Sequence, residues 1–348
     1  MRIICTGISG SGVEEYLAEV NSIKPIKIFD IGREIFDIAE KQGRSIQKTK
    51  VLDKPDNELD PYRAAAFEKV LRETANFEDF IVRTHACFRW KNILRKAFDL
   101  YYLEMLKPDL YINIIDSVAN TRVKLEQNLQ WSGRLSLKDI IIWRDEEIVL
   151  TSLMASYQKK KFFIIAREEP PATFLNVVFN DKMPKIYLSY PISHMSMKRE
   201  EWLEEKDKVR DKLRKSFIVF DPLDIRDVEF LNEAQMAKKN GAQSFTYKVD
   251  GVENKFDTVD VLDIENDIFN QTVTRDFRLI DQSDMVVSLY PEPVRSHGVS
   301  NEIKYGSINK DVFIITPLGK DPFTEFDITE RFSSEDELIC YLKEKRGK

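Results

Sequence analysis

The sequence has few cysteines, no long apolar run and no excess of positive charge. Cys5, Cys87 and Cys340 are odd in number and far apart in a chain of 348 residues, which argues against a disulfide framework or a zinc cluster. No apolar stretch approaches the roughly 18 residues of a membrane span, and the N-terminal MRIICTGISGSG indicates a first strand rather than a secretion leader. A net charge of −6 does not favour binding to the negatively charged backbone of a nucleic acid. These absences predict a cytoplasmic protein that acts on small molecules, without nucleic-acid or membrane partners.

Short apolar runs alternate with helical patterns twice along the chain, which is typical of parallel α/β sheets. The first half offers strands at 3–6, 26–29, 80–83, 109–115 and 162–166, with helices at 61–74 and 92–106. The second half offers strands at 185–189, 217–220, 285–289 and 312–316, with helices at 198–215, from about 299, and near 335–345. Breaks at 168–171 and 180–184 predict two α/β domains with parallel sheets and three layers, over 1–180 and 184–348. The segment 242–260 lacks periodicity and is expected to be an insertion or lid over the second domain.

A glycine-rich segment follows the first strand and precedes a helix, which is the context of a phosphate-binding loop. The residues expected to contact a nucleotide are Gly7, Ser9, Gly10, Ser11 and Gly12. A complete P-loop continues with Lys and then Ser or Thr, whereas this chain has Val13 and Glu14. The missing Lys would neutralise phosphate charge and the missing hydroxyl would hold Mg²⁺, so the loop is degenerate for phosphoryl transfer.

The first half resembles archaeal-type adenylate kinase over roughly 1–167. The matching segments are 29–39, 82–85 and 106–109. The resemblance implies a P-loop kinase-like fold that binds ATP or another nucleotide. Arg83 stands where that family has an acidic residue near the metal, and Lys124 lies in a helix where it has arginines over the phosphates. We therefore expect nucleotide binding without efficient phosphoryl transfer. A working kinase and a purely structural or dimerising remnant remain alternatives.

Three segments of the second half carry candidate chemistry, at 186–194, 274–284 and 295–306. Ligands in open α/β sheets collect at the carboxyl ends of strands, so the first and third segments are expected to face one crevice. Glu302 is then predicted in the first turn of a helix, where the helix dipole favours an ionised carboxylate.

The order and spacing of these segments resemble the nucleoside 2-deoxyribosyltransferases and the related 2′-deoxynucleoside 5′-phosphate N-hydrolases, over about 185–320. The matching residues are Tyr187, Asp276, Ser283, Asp284, Gly298, Glu302 and Gly306. The resemblance implies a flavodoxin- or Rossmann-like domain that cleaves or transfers an N-glycosidic bond. It implies Glu302 as the nucleophile, Asp276 as the general acid and Tyr187 as the group that aligns the Glu302 carboxylate.

The resemblance also distinguishes between substrates. Many transferases carry Asp six residues before the nucleophile, whereas this chain has Ser296, as the nucleotide N-hydrolases do. A hydroxyl accommodates a 5′-phosphate that a carboxylate would repel, which favours nucleoside 5′-monophosphates over nucleosides. Other residues expected to bind substrate are Ile192, Ser193, His194, Gly298 and Asn301.

The resemblance implies a homo-oligomer and a glycosidic reaction that requires no metal or other cofactor. A metal pair of His194 and His297 is disfavoured, because no carboxylate lies at ligand spacing. Two other functions remain open. One is a nucleotide sensor without turnover, and the other is an active nucleoside-phosphate kinase with unusual phosphate ligands.

Overall fold

The computed structural model describes residues 1–44, 46–192, 199–292 and 296–346. The chain forms two compact units, Met1–Pro171 with Ile225–Thr272, and Ala172–Asp224 with Val273–Lys348. Among the helices in the described ranges, none has the combination of length and apolarity that a membrane crossing requires.

The strands are β1 Arg2–Thr6, β2 Lys27–Asp30, β3 Phe80–Arg83, β4 Cys87–Trp90, β5 Ile93–Lys96, β6 Leu110–Ile115, β7 Lys161–Ala166, β8 Lys185–Ser189, β9 Ile218–Phe220, β10 Ser244–Val249, β11 Val252–Asp257, β12 Met285–Leu289, β13 Asp311–Ile315 and β14 Glu330–Phe332. The helices are α1 Val13–Ile23, α2 Ile31–Lys41, α3 Asp56–Thr74, α4 Leu100–Leu106, α5 Val118–Glu126, α6 Leu137–Tyr157, α7 Pro171–Phe179, α8 Arg199–Arg214, α9 Asp227–Lys239, α10 Thr258–Leu262, α11 Glu265–Gln282, α12 His297–Ser307, α13 Pro322–Asp327 and α14 Glu335–Arg346. Short 3₁₀ helices cover Lys48–Asp53 and Pro222–Asp224.

The first unit is built on a parallel sheet of order β2-β3-β1-β6-β7. Its central strand β1 pairs with β3 on one side and β6 on the other, with Ile3 opposite Ile81 and Leu110. All six residues of β6 are buried, as expected for a parallel strand covered on both faces. The carboxyl end of β1 leads directly into the glycine-rich loop.

The second unit is built on a parallel sheet of order β14-β13-β12-β8-β9. Counted along the unit this is the order 2-1-3-4-5, which is the flavodoxin-like doubly wound arrangement. The connections reverse direction between β8 and β12, so the carboxyl ends of these two strands define the ligand crevice of such a fold. The predicted fold class, two α/β units with parallel sheets, is confirmed.

The predicted helix at 92–106 is wrong in its first half. Residues 87–96 form the antiparallel hairpin β4–β5, and only Leu100–Leu106 is helical, capped by the Asp99 side chain at the Tyr101 N–H. Lys91 and Asn92 adopt positive φ in the turn, a backbone conformation that ends a helix and closes a tight hairpin.

The segment 242–260 forms the hairpin β10–β11 and the start of α10, and it belongs to the first unit rather than to the second. The two units therefore do not follow the expected boundaries of 1–180 and 184–348, because Ile225–Thr272 returns to the first unit. Its aromatic side chains explain this position. The ring of Phe230 contacts those of Tyr247 and Phe256 at centroid distances of 5.0 and 4.7 Å, within the same buried core as Trp131 and Trp143.

A buried ion pair connects residues 225–272 to the rest of the first unit. Asp227, at the start of α9, lies 2.7 Å from Arg144 on α6 and accepts a hydrogen bond of 2.8 Å from the Val118 N–H at the start of α5. Both charged side chains are almost completely buried. One carboxylate therefore satisfies a helix N-terminus and a buried guanidinium together.

Removing this carboxylate should destabilise the first unit strongly. We expect Asp227→Ala to lower the free energy of unfolding by about 3–5 kcal/mol, because it removes the carboxylate that neutralises the buried Arg144. Urea denaturation followed by tryptophan fluorescence measures this. The tryptophans of the first unit are Trp90, Trp131 and Trp143.

The matched control is Asp260→Ala, which removes an exposed carboxylate from the same segment and should change stability by less than about 0.5 kcal/mol. Equal effects of the two substitutions would show that the Asp227 pair does not hold the segment in place.

Candidate functional site

The first strand of the second sheet presents a polar face at the crevice. Side chains alternate along β8, so Ile186 and Leu188 enter one hydrophobic core, and Tyr187 and Ser189 point to the opposite face. Helix α12 packs on that opposite face, where a Cβ added to Gly306 would lie 2.7 Å from a methyl group of Val286. Close packing of the helix on the sheet therefore explains why residue 306 of the matching motif is a glycine.

Glu302 reaches this face from α12. Its Oε2 accepts a hydrogen bond from Ser189 Oγ at 2.5 Å, and part of its side chain remains accessible to solvent. The helix begins at His297, one residue after its cap Ser296, so Glu302 lies in the second turn rather than in the predicted first turn. The stabilisation of its charge that we expected from the helix dipole is correspondingly small, because that effect fades beyond the first turn.

The surroundings of Glu302 favour its protonated form. Burial raises the pKa of this carboxyl from an ordinary 4.5 to about 7, and the nearby Asp276 carboxylate adds to the rise. Ser189, Tyr187 and Arg275 oppose the shift by stabilising the ionised form. Glu302 and Asp276 thus form a pair of interacting carboxyl groups, which titrate as a unit.

Tyr187 is completely buried next to this pair. Burial, followed by the charges of Asp276 and Glu302, raises the pKa of its phenol well above the usual range. Among the described residues its hydroxyl has no hydrogen-bond partner of good geometry, although it lies close enough to Glu302 to influence that carboxyl group. Tyr187 therefore lies near Glu302, and its role in aligning that carboxylate stays a prediction.

Asp276 lies on α11 and is also buried. The neighbouring Arg275 donates to its Oδ1 from Nε at 3.1 Å and from Nη2 at 3.0 Å, and Nη2 also reaches the carbonyl oxygen of Pro222 at 3.3 Å. Burial raises the pKa of Asp276, and Arg275 opposes that rise. Two neighbouring carboxyl groups, both with raised pKa values, are the kind of arrangement from which acid and nucleophile roles can be divided.

The remaining predicted substrate residues lie around the start of α12 or near the end of β8. Ser296 caps the helix, accepting from the Val299 N–H at 3.4 Å, and Gly298 and Asn301 are exposed in its first turns. Ile192 is 37% exposed. Ser193 and His194 lie outside the described residues. No cluster of metal-ligating side chains occurs within the part of the chain that the structure describes.

Two residues of this site were missed from the sequence. Ser189 follows Tyr187 at the spacing of two that places both on one face of a strand, and this alternation could have identified it. Arg275 directly precedes Asp276, but adjacency along a helix does not normally bring side chains together, so no sequence signal indicated the contact.

Two glycines of the loop in the first unit adopt the left-handed backbone conformation. Gly10 and Gly12 have φ of +82° and +73°, and a Cβ at Gly7 would lie 2.7 Å from the carbonyl oxygen of Ile114. Gly12 caps α1 without a side-chain bond. Ser11 donates from both its N–H and its hydroxyl to the carbonyl oxygen of Ile8, whereas Ser9 is partly exposed.

A buried carboxylate supports this loop from within. Glu147 on α6 accepts from the N–H groups of Gly7 at 3.2 Å, Ala86 at 2.8 Å and Cys87 at 2.8 Å. Burial raises the pKa of Glu147 to about 7, and the three N–H groups counteract the rise. The Gly7 N–H is thereby directed to the protein's own carboxylate.

The cations around the loop are paired with carboxylates of the protein. Arg83 lies 2.6 Å from Asp30 and 2.9 Å from Glu14. The two departures from the kinase pattern at 14 and 83 therefore compensate each other, since the unusual glutamate meets the unusual arginine.

Lys124 lies on the other side of the loop. Its Nζ is 3.2 Å from Asp116 and 3.8 Å from Asp250, and it is 3.1 Å from where a Cβ of Gly12 would be. Arg167 also approaches this Cβ position, at 3.0 Å, and pairs with Glu19. Two positive side chains thus border the glycine loop.

No protein-family model matches the sequence, and no curated protein matches it. Among solved structures, a deoxyadenosine kinase from M. mycoides is similar over 52% of this chain and 98% of its own, with 16% identity and a TM-score of 0.34. Shikimate kinases from Aquifex aeolicus and Bacteroides thetaiotaomicron cover 52% of this chain and 96% and 98% of their own, with identities of 17% and 14% and TM-scores of 0.33 and 0.34. These neighbours over half of the chain are kinases, and likenesses of this degree carry no argument about activity.

The raised pKa of Glu302 has a measurable consequence for stability. Since its folded value of about 7 exceeds the ordinary 4.5, the folded state binds the proton more tightly, and stability from this group is lost as pH rises from about 4.5 through 7. The free energy of unfolding of Glu302→Gln, minus that of the unmodified chain, should therefore increase by about 2–3 kcal/mol from pH 5 to pH 8.

Chemical denaturation at both pH values measures this difference. Glu205→Gln, which neutralises an exposed carboxylate of the same unit, is the control and should show no such gain. A pH-independent difference between Glu302→Gln and the unmodified chain would contradict the perturbed titration.

Proposed function

We propose that the second unit cleaves or transfers the N-glycosidic bond of nucleosides or nucleoside 5′-monophosphates, with Glu302 as the nucleophile. The observation that carries the proposal is the position of the Glu302 carboxylate. It is partly exposed, bonded to Ser189 at the carboxyl end of β8, and close to Asp276 at the point where the sheet connections reverse. Ligands bind at such points in doubly wound sheets.

The reaction would proceed in two displacements at the anomeric carbon. A Glu302 oxygen forms a bond to C1′ while the bond from C1′ to the base nitrogen breaks, and the base departs with that electron pair and takes a proton from Asp276. Water or the nitrogen of a second base then attacks C1′, loses its proton to the Asp276 carboxylate and releases Glu302. Hydrolysis and transfer therefore share their first step.

Monophosphates are the favoured substrates. Ser296 offers a neutral hydroxyl at the N-terminus of α12, where unpaired N–H groups and the helix dipole favour an anion. An acidic side chain at that position would repel a phosphate group.

Release of free base is the direct test. Incubation with a panel of nucleosides and 5′-monophosphates, followed by chromatography, should show release from at least one of them. Glu302→Ala should reduce the rate by a factor of about 10³ or more, because it removes the nucleophile itself. Adding a second base separates transfer from hydrolysis.

The control is Glu205→Gln, which should leave the rate unchanged because its carboxylate is exposed on α8. Absence of release from every substrate, or a rate that survives Glu302→Ala, would rule out the glycosidic proposal and favour a sensor without turnover.

We propose that the first unit binds a nucleotide phosphate group without efficient phosphoryl transfer. Support comes from the left-handed glycines at 10 and 12 and from Lys124 and Arg167 beside them. Pairing of these two cations with carboxylates of the protein would weaken such binding. Glu14 at the start of α1 would repel the phosphate groups of a metal-bound triphosphate. Because Arg83 pairs with this carboxylate, that repulsion is reduced.

Asp250 offers a way to test this site. It is 61% exposed at the tip of the β10–β11 hairpin and lies near Lys124, so its charge would oppose an approaching phosphate. We expect Asp250→Asn to tighten ATP binding by about 3–10-fold, measured by calorimetry with and without Mg²⁺.

Glu253→Gln changes an exposed carboxylate of the same hairpin that forms no ion pair with the described residues, and should leave the affinity unchanged. If neither the unmodified chain nor Asp250→Asn binds ATP, the first unit has a structural role. Turnover of a phosphate acceptor would instead identify an active kinase.

A further inference from the structure

Ser189 stands out because its strand is buried on both faces. All five residues of β8 are buried, and such strands in parallel sheets are usually continuous runs of apolar residues. Ser189 nevertheless places a hydroxyl group at the last position of the strand, opposite Ser288 of β12. A polar side chain at such a position indicates either a structural hydrogen bond or a functional one.

The hydroxyl of Ser189 has one identified acceptor, Oε2 of Glu302, at 2.5 Å. Within the described residues no hydrogen bond of good geometry reaches the other oxygen, Oε1, although the Tyr187 phenol lies close enough to Glu302 to stabilise its charge. The two oxygens of the carboxylate are thus inequivalent before any substrate binds.

We propose that Ser189 is a positioning residue that fixes Oε2 of Glu302 and leaves Oε1 as the oxygen that attacks the anomeric carbon. This inference rests on the glycosidic function proposed for the same carboxylate. Ser189 does not touch the reacting atoms in this account; it acts through Glu302.

The groups that face Glu302 show why such a donor is needed. From α11, Asp276 brings a like charge and Arg275 an opposite one, and from β8 the Tyr187 phenol lies beside Ser189. Burial and Asp276 both favour protonation of Glu302, and a protonated carboxyl group is a poor nucleophile. The Ser189 hydroxyl opposes that protonation, because a hydrogen bond to a charged acceptor stabilises the charged form.

The titration of Glu302 can be followed without substrate. The difference in melting temperature between the Glu302 and Glu302→Gln forms is measured against pH, once with Ser189 and once with Ser189→Ala. We expect Ser189→Ala to move the midpoint of this difference upward by about one pH unit or more. An unmoved midpoint would overturn the proposal.

Ser288→Ala is the matched control. Ser288 is equally buried, lies opposite Ser189 on the neighbouring strand, and has no hydrogen-bond partner among the described residues. Its substitution should leave the midpoint in place, and a shift equal to that of Ser189→Ala would overturn a specific role for Ser189. If Ser189→Ala does not fold, Ser189→Cys replaces it, with a weaker donor of similar size and a smaller upward shift expected.

Kinetics separate orientation from ionisation. At a pH above both midpoints, Ser189→Ala should still lower kcat by about 10-fold or more with little change in KM, because Oε2 is no longer held. An unchanged kcat there would overturn the selection of Oε1. A shifted midpoint in a protein that releases no base would refute the glycosidic function and leave the Ser189–Glu302 bond established.

Discussion

Buried carboxylates have to be met by hydrogen-bond donors, and this requirement organises both units of the protein. Parallel strands covered on both faces leave little room for polar side chains except at their carboxyl ends. Glu147 is satisfied by three backbone N–H groups under the glycine loop, and Asp227 by Arg144 and the start of α5. Glu302 is the least satisfied of the three, since one of its oxygens has no donor of good geometry among the described residues. That difference separates the two structural carboxylates from the candidate catalytic one.

The same requirement explains the pairing of charges around the glycine loop of the first unit. Arg83 and Glu14 neutralise each other, Lys124 meets Asp116, and a carboxylate faces the Gly7 N–H. Ionisation of the buried Asp116 remains unfavourable, because burial raises its pKa to about 6 despite the nearby Lys124. A ligand phosphate would have to compete with these internal anions, whereas the crevice of the second unit keeps a carboxylate available.

Much of the fold follows from local patterns. The strands at 80–83, 185–189 and 285–289 occur where their apolar runs predict them, and the glycine loop lies between strand and helix as expected. The hairpin at 87–96 is an exception, because the sequence pattern predicts a helix from 92, whereas Cys87–Trp90 pairs with Ile93–Lys96 across a turn in which Lys91 and Asn92 have positive φ. In the candidate site, Tyr187, Asp276 and Glu302 were identified from resemblance, but their interactions were not.

The sequence by itself determined the parallel α/β class and the position of the glycine loop after the first strand, because strand periodicity and motif spacing are local properties of the chain. The candidate nucleophile was named from resemblance alone. Only the tertiary structure decided that 225–272 belongs to the first unit, that Arg275 meets Asp276 and that Ser189 holds Glu302. These features depend on contacts between residues far apart in the chain, 113 positions for Ser189 and Glu302, and on burial that shifts the pKa of the carboxyl groups. Neither contact nor burial is encoded in the spacing of residues along the chain.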